Sequence, residues 1–235
     1  MPQSQKITFT TSDGVEIVGI YVDAGTSTPH ALLLHMMPAT KESYAAFAEK
    51  LRQIGISSLA IDFRGHGESV QKFTDVSLHS TVLDYQKFSD EEQQAKILDV
   101  HAAVEWLIQN HGAVKSHLVL VGASIGANLA LQYLSENSEV PAAVLLSAGL
   151  DYRSVKTEPL VRAVKPSQSV YFAASSEDMR GSGQSATEMA KILFDACPCK
   201  KEIKTFDGAG HGTTMFEREP KFTDEVIKWI KERIE

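Results

Sequence analysis

A chain of 235 residues suffices for one substantial α/β domain, and its 43% hydrophobic and 23% charged residues are those of an ordinary folded protein. With 23 basic against 30 acidic residues the net charge is −7, and no basic cluster interrupts that balance, so a nucleic-acid partner is not expected. No apolar run approaches membrane-spanning length, and residues 1–6 lack the apolar core of a secretory signal.

Residues 6–22 alternate around Asp13-Gly14, with Ile7 and Phe9 before it and Val15, Ile17 and Ile20 after it, which predicts a β-hairpin. After a loop at 24–29, residues 31–34 are wholly apolar, as in strands buried on both faces of a parallel sheet. That strand ends at His35-Met36-Met37-Pro38. Tyr44, Phe47, Ala48 and Leu51 recur at helical spacing over 41–54, stopped by Gly55. The next buried strand, 56–63, exits through Arg64-Gly65-His66-Gly67-Glu68-Ser69. Residues 70–92 are polar and irregular, and their few apolar side chains are expected to pack over the domain. A helix is predicted from Glu92 through Val100, Val104 and Ile108 to Gly112. Strands at 118–121, 142–146, 169–173 and 202–206 then alternate with helices at 127–134 and 184–196, and a last helix carries Phe222, Val226, Ile227 and Ile230 on one side. Cys197 and Cys199, one residue apart, are expected to remain a reduced pair at a helix end, which fits a cytoplasmic location.

The apolar run Leu118-Val119-Leu120-Val121 enters Gly122-Ala123-Ser124-Ile125-Gly126. A strand that turns sharply into a helix with serine at the apex is the setting of a nucleophile elbow. Small residues two positions to either side let the helix cross the strand without collision. A serine hydroxyl is a poor nucleophile at neutral pH; it needs a base, and the base needs a carboxylate to orient it. In an open parallel sheet such groups sit just beyond the C-terminal strand ends. His211 lies in Asp207-Gly208-Ala209-Gly210-His211-Gly212, directly after the last strand. Asp178 lies in Ser175-Ser176-Glu177-Asp178, directly after the preceding one; Glu177 and Asp151 are the other carboxylates with a comparable position. The remaining histidines are scattered, with no metal-binding spacing, so neither a metal nor a cofactor is expected.

On these residues, in the order Ser124, Asp178, His211, the chain resembles the α/β-hydrolases. The resemblance spans the chain and implies an α/β fold: a mainly parallel sheet of about eight strands, the first two an antiparallel hairpin, with helices on both faces. It implies a single domain over 1–235 with a short cap insert at about 149–167. Asp62-Phe63-Arg64-Gly65-His66-Gly67-Glu68-Ser69 is similar to a loop found after the family's fourth strand. It is expected to be structural, with Asp62 and Arg64 hydrogen-bonded locally. The family's oxyanion hole maps to the N–H groups of Ile125 and Met37. Where members often have His-Gly, this chain has His35-Met36, so His35 and Met36 are expected beside the substrate, and the two methionines either form a pliable apolar wall or simply pack.

The activity implied is a serine hydrolase that cleaves small to medium acyl or aryl esters through an acyl-enzyme on Ser124. A serine nucleophile argues against dehalogenases, epoxide hydrolases and cysteine-dependent dienelactone hydrolases. Only about twenty residues separate the strands at 142–146 and 169–173, so a full helical lid is not expected, only an open cleft or one short helix at 159–164. A thioesterase or small-peptide hydrolase uses the same residues, and a hydrolase-fold binding protein without turnover is the reading from another class.

Overall fold

The computed structural model describes residues 4–25, 29–74, 77–179 and 181–234. β1 (Ser4–Thr10) and β2 (Val15–Val22) form the antiparallel hairpin expected around Asp13-Gly14. Gly14 turns it at φ 86°, and a Cβ there would lie 2.3 Å from the Phe73 carbonyl oxygen, so only glycine fits this tip. The loop expected at 24–29 lies partly outside the described residues.

β3 (His30–Leu34) leads through a 3-10 turn to α1 (Ala45–Gln53) and β4 (Ser57–Ile61). β5 (Gln71–Thr74) and β6 (Ser77–Val82) follow, then α2 (Asp90–Gln94), α3 (Ile97–His111), β7 (Leu118–Ala123) and α4 (Ile125–Glu136). Beyond β8 (Ala142–Leu146) a small ribbon, β9 (Asp151–Tyr152) with β10 (Val155–Lys156), precedes α5 (Thr157–Ala163). β11 (Ser169–Ser175), α6 (Ala186–Ala196), β12 (Lys200–Phe206), α7 (Thr214–Arg218) and α8 (Pro220–Ile234) complete the chain.

The main sheet runs β12-β11-β8-β7-β3-β4-β2-β5-β6, with β1 paired on β2. β12, β11, β8, β7, β3 and β4 are mutually parallel, so their exit loops all open on one edge. Alternate residues of these strands feed two cores. Leu32, Leu34, Leu120, Leu145 and Phe172 pack with α3, α4 and α6. Ala31, Leu33, Val119, Val121, Val144 and Tyr171 pack with α1 and α8 on the other face. The expected fold class stands, with ten strands instead of about eight.

The added pair is β5 and β6, in the stretch 70–92 that predicted no element. Polar residues at a sheet margin carry no apolar alternation, so their pairing with β2 and with each other depends on a neighbour and not on their own pattern. The helix expected from Glu92 is divided into α2 and α3 at Ala95 and Lys96, whose carbonyls accept the Leu98 and Asp99 N–H groups in i→i+3 turns.

Cys197 and Cys199 are not reduced, as expected from their spacing, but joined in a disulfide. The tight turn between the end of α6 and the start of β12 brings their Cα atoms to 5.5 Å, inside the range a disulfide requires. Among the described residues no helix is long and apolar enough to cross a membrane.

Candidate active site

Ser124 stands between β7 and α4 at φ 53° and ψ −116°, a strained conformation for a residue with a side chain. Two close approaches impose it. A Cβ on Gly122 would lie 2.2 Å from the Gly126 carbonyl oxygen, and one on Gly126 would lie 2.2 Å from the Leu34 carbonyl oxygen. The two glycines therefore let α4 cross its own strand and reach the end of β3. The Ser124 N–H donates to Leu146 O at 2.8 Å, tying the apex to β8. Its hydroxyl makes no capping bond to the helix and is half-exposed. Ile125, first residue of α4, has an N–H with no intrahelical acceptor, at the positive end of the helix dipole.

Asp178 and His211 arrive on the exits of β11 and β12 and meet: the His211 Nδ1–H donates to Asp178 Oδ2 at 2.7 Å. The carboxylate is buried at 8% side-chain exposure, while the imidazole keeps 29%, enough to face a cleft. The His211 loop is pressed against the elbow. A Cβ on Gly212 would lie 3.1 Å from the Ala123 Cβ and 2.6 Å from Met36 Sδ, and the Gly212 N–H donates to Ser147 Oγ at 3.1 Å. Among the described residues the Ser124 hydroxyl and the His211 ring are not hydrogen-bonded to each other; such contacts commonly close only around a bound substrate.

Glu177 has a different occupation from its neighbour. Its carboxylate accepts the Ser175 hydroxyl and the N–H groups of Gly208 (2.8 Å) and Gly210 (2.6 Å), bracing the loop that carries His211. The Ser175 hydroxyl is the largest influence on the Glu177 pKa and, with lesser help from the Gly210 and Gly208 N–H groups, outweighs desolvation to hold it down at about 2. A carboxylate whose folded pKa lies below its ordinary 4.5 stabilises the fold above that pH and loses the contribution as pH falls towards the folded value. The urea midpoint of Glu177→Gln should therefore trail the parent's at pH 7 and approach it between roughly pH 5 and 3. A midpoint difference that stays constant over that range would show that the carboxylate charge does not brace this loop. Asp151 is exposed, and its Oδ1 accepts the Ser154 N–H within the β9–β10 ribbon at 3.0 Å.

The loop opposite the elbow is organised differently from the sequence expectation. His35 is fully buried, its Nδ1 donating to Met36 O at 2.8 Å and its Nε2 accepting the Phe63 N–H at 3.0 Å, which leaves neither ring nitrogen for a substrate. Burial is the first cause of a pKa lowered to about 4, so the ring is neutral at pH 7. Met36 Sδ lies under the His211 loop, near the Thr213 hydroxyl. Met37 Sδ takes the Tyr152 hydroxyl at 3.3 Å and the Lys96 ammonium at 3.6 Å, linking this loop to the cap ribbon. Both methionines pack between elements.

The loop after β4 is held by local bonds, as expected, and also by distant partners. Buried Asp62 accepts Lys41 Nζ (2.7 Å), the Lys41 N–H (2.8 Å) and the Glu68 N–H (2.9 Å). Arg64 binds Asp99 at 2.8 Å and Asp13 at 2.8 and 3.0 Å, joining α3 and the hairpin tip to this rim.

A cleft of about 320 Å³ opens beside Ser124, walled by Ile125, Asn128, Gly149, Tyr152 and Met189, with Asp151 at its margin. Sequence reasoning missed Asn128 and Tyr152. The signal for Asn128 was an amide within the otherwise apolar Ala127-Asn128-Leu129-Ala130-Leu131; Tyr152 gave none. Among the described residues the segment between β8 and β11 holds the β9–β10 ribbon and the seven residues of α5, and Asp151 and Tyr152 of the ribbon line the cleft.

Residues 28–179 match the family model described as serine aminopeptidase, S33. An uncharacterized protein of Rickettsia prowazekii is 32% identical over 147 residues, covering 60% of this chain and 52% of that protein. The chain thus spans about half the length of the curated relative it matches. Among solved structures, an esterase of Pyrococcus furiosus superposes with a TM-score of 0.76 at 19% identity, covering 99% of this chain and 94% of that one. A dienelactone hydrolase of Anabaena variabilis gives 0.71 at 20% identity, covering 99% and 96%. Est1E of Butyrivibrio proteoclasticus, with ferulic acid bound, gives 0.75 at 15% identity, covering 97% and 99%. At these identities the likeness is one of fold.

Proposed function

Since the chain belongs to the serine aminopeptidase S33 family of α/β-hydrolases, we propose that it is a serine hydrolase cleaving carboxylic esters of small to medium acyl or aryl groups. The observation that carries this reading is the 2.7 Å bond from His211 to a buried Asp178, on a loop packed against the residue next to Ser124.

In this mechanism Asp178 fixes the Nδ1–H tautomer of His211, leaving Nε2 as the base. His211 takes the Ser124 proton as the oxygen attacks the ester carbonyl. The Ile125 N–H, supported by the N-terminus of α4, and the Met37 N–H stabilise the oxyanion. The tetrahedral intermediate collapses, His211 returns the proton to the departing alcohol, and the acyl group stays on Ser124. A water activated by His211 then releases the acid. The small cap suits soluble esters, since little chain is available to cover a long lipid tail.

Asp178→Asn should lower kcat by about 10³- to 10⁴-fold with little change in KM, because the amide favours the wrong tautomer. Glu177→Gln, which only loosens the His211 loop, should lose far less. Steady-state kinetics on one p-nitrophenyl ester would reverse the assignment if Glu177→Gln proved the more damaging variant.

The experiment that tests the function is a kcat/KM profile over p-nitrophenyl esters of rising acyl length, matching acyl thioesters and aminoacyl p-nitroanilides, alongside fluorophosphonate labelling. Esters leading the profile, with Ser124 labelled, is the expected result. An unlabelled protein that turns over none of the substrates would be a binder. A peptidase is the second reading, favoured by the exposed Asp151 carboxylate at the cleft margin, which suits a substrate ammonium; it wins if the anilides lead.

A further inference from the structure

Asn128 stands one helical turn beyond Ser124, its N–H donating to the Ser124 carbonyl at 3.1 Å. Its side chain is 1% exposed in a helix whose neighbouring positions, Ala127, Leu129, Ala130 and Leu131, are all buried and apolar. One end of the amide is committed: Oδ1 accepts the Gly149 N–H at 3.0 Å. That bond also fixes which end is which, since a reversed amide would set two donors against each other. The other end, Nδ2, is buried with no hydrogen-bond partner among the described residues. Native proteins seldom leave a buried donor unpaired, and one beside a cleft calls for an explanation.

The surroundings supply one. Both Asn128 and Gly149 line the cleft next to Ser124. Among the described residues, the one heavy atom within 4 Å of the place where a Gly149 side chain would begin, its own chain neighbours aside, is Asn128 Nδ2 at 3.9 Å. Glycine there leaves room for a substituent 3.9 Å from the buried, unpaired donor. Of the other polar side chains of this wall, the Tyr152 hydroxyl is engaged with Met37 Sδ and one Asp151 oxygen with the Ser154 N–H, while Ser182 is exposed. Ile125 and Met189 supply its buried apolar surface.

We propose that the Asn128 amide is a specificity-determining donor for a substrate oxygen, so that the ester seated in this cleft carries a keto, ether or hydroxyl oxygen on the group next to the scissile bond. This rests on Ser124 being the nucleophile. A site built around a hydrogen-bond donor rejects an analogue that lacks the acceptor, because the donor is then left desolvated and unpaired.

The test compares esters matched in length. One series places a keto oxygen along the acyl chain of p-nitrophenyl esters, against plain alkanoyl esters; the other places it on the alcohol of butyrate esters, against plain alkyl butyrates. The parent should prefer the oxygen-bearing member of one series by about tenfold in kcat/KM. Asn128→Asp keeps the acceptor for the Gly149 N–H but replaces the donor with a carboxylate oxygen, and should abolish or invert that preference. Gly149→Ala, which sets a methyl in ordinary van der Waals contact with Nδ2 and leaves the amide's chemistry unchanged, should reduce it in the same direction and serves if the aspartate variant does not fold. Each preference is a ratio within one protein, so changes in active fraction or in general catalytic competence cancel.

Ratios near one in both series for the parent, as a trapped water on Nδ2 would produce, or a preference unmoved in both variants, would overturn the proposal while leaving ester hydrolysis intact. Absence of ester turnover together with an unlabelled Ser124 would remove the underlying reading and this one with it.

Discussion

Ser124→Ala is expected to lower kcat/KM for p-nitrophenyl esters by about 10⁵-fold or more, since base and carboxylate have nothing to activate once the hydroxyl is gone. The fold should survive. The hydroxyl caps nothing in α4, the apex is held by its N–H to Leu146 O, and alanine at φ 53° bears the same backbone strain as serine. Parent and variant should therefore melt within a few degrees of each other, and only the parent should take a fluorophosphonate label. A variant that keeps more than a hundredth of the parent's rate would show that another residue is the nucleophile.

Gly126→Ala should have the opposite signature, a collapse of stability. The new Cβ would lie 2.2 Å from the Leu34 carbonyl oxygen and 2.8 Å from that of His35, both backbone atoms at the end of a central strand. Neither can swing aside like a side chain, so α4 must move off β3, opening the core that Leu34, Ile125 and Leu129 share. A loss of more than about 3 kcal/mol in urea unfolding is expected, if the variant accumulates at all. A shift below 1 kcal/mol would mean the elbow tolerates a side chain there. The same displacement carries the Met37 loop away from Ser124, so activity should fall beyond what the folded fraction explains.

The central strands were legible because burial on both faces demands unbroken apolar runs, as in Leu118-Val119-Leu120-Val121. The long helices and the opening hairpin were legible by period and turn chemistry. The elbow glycines were readable for the same reason: a strand crossing its own helix is a local event with a local steric rule, and the structure finds the collisions at Gly122 and Gly126. The margins were not. β5 and β6 are polar strands whose only reason to be strands is the neighbour they pair with, and the division of α2 from α3 leaves no mark in the apolar spacing.

In the candidate site, the chain order of Ser124, Asp178 and His211 and their positions at strand exits were set by the sequence alone, because a parallel sheet brings all its exits to one edge. Which neighbour faces the histidine was decided only in three dimensions. Glu177 and Asp178 are adjacent and chemically alike, and it is the approach of the Gly208 and Gly210 N–H groups that draws one into bracing while the other meets the imidazole. His35 likewise lost its expected place beside the substrate to the Phe63 N–H, 28 residues away. The unpaired amide of Asn128 acquires meaning only when Gly149, 21 residues on, takes its oxygen and leaves space before its nitrogen. Local pattern determined most of the elements and nominated the candidate reacting groups; contacts between residues far apart in the chain, which no local pattern encodes, decided what each polar group is free to do.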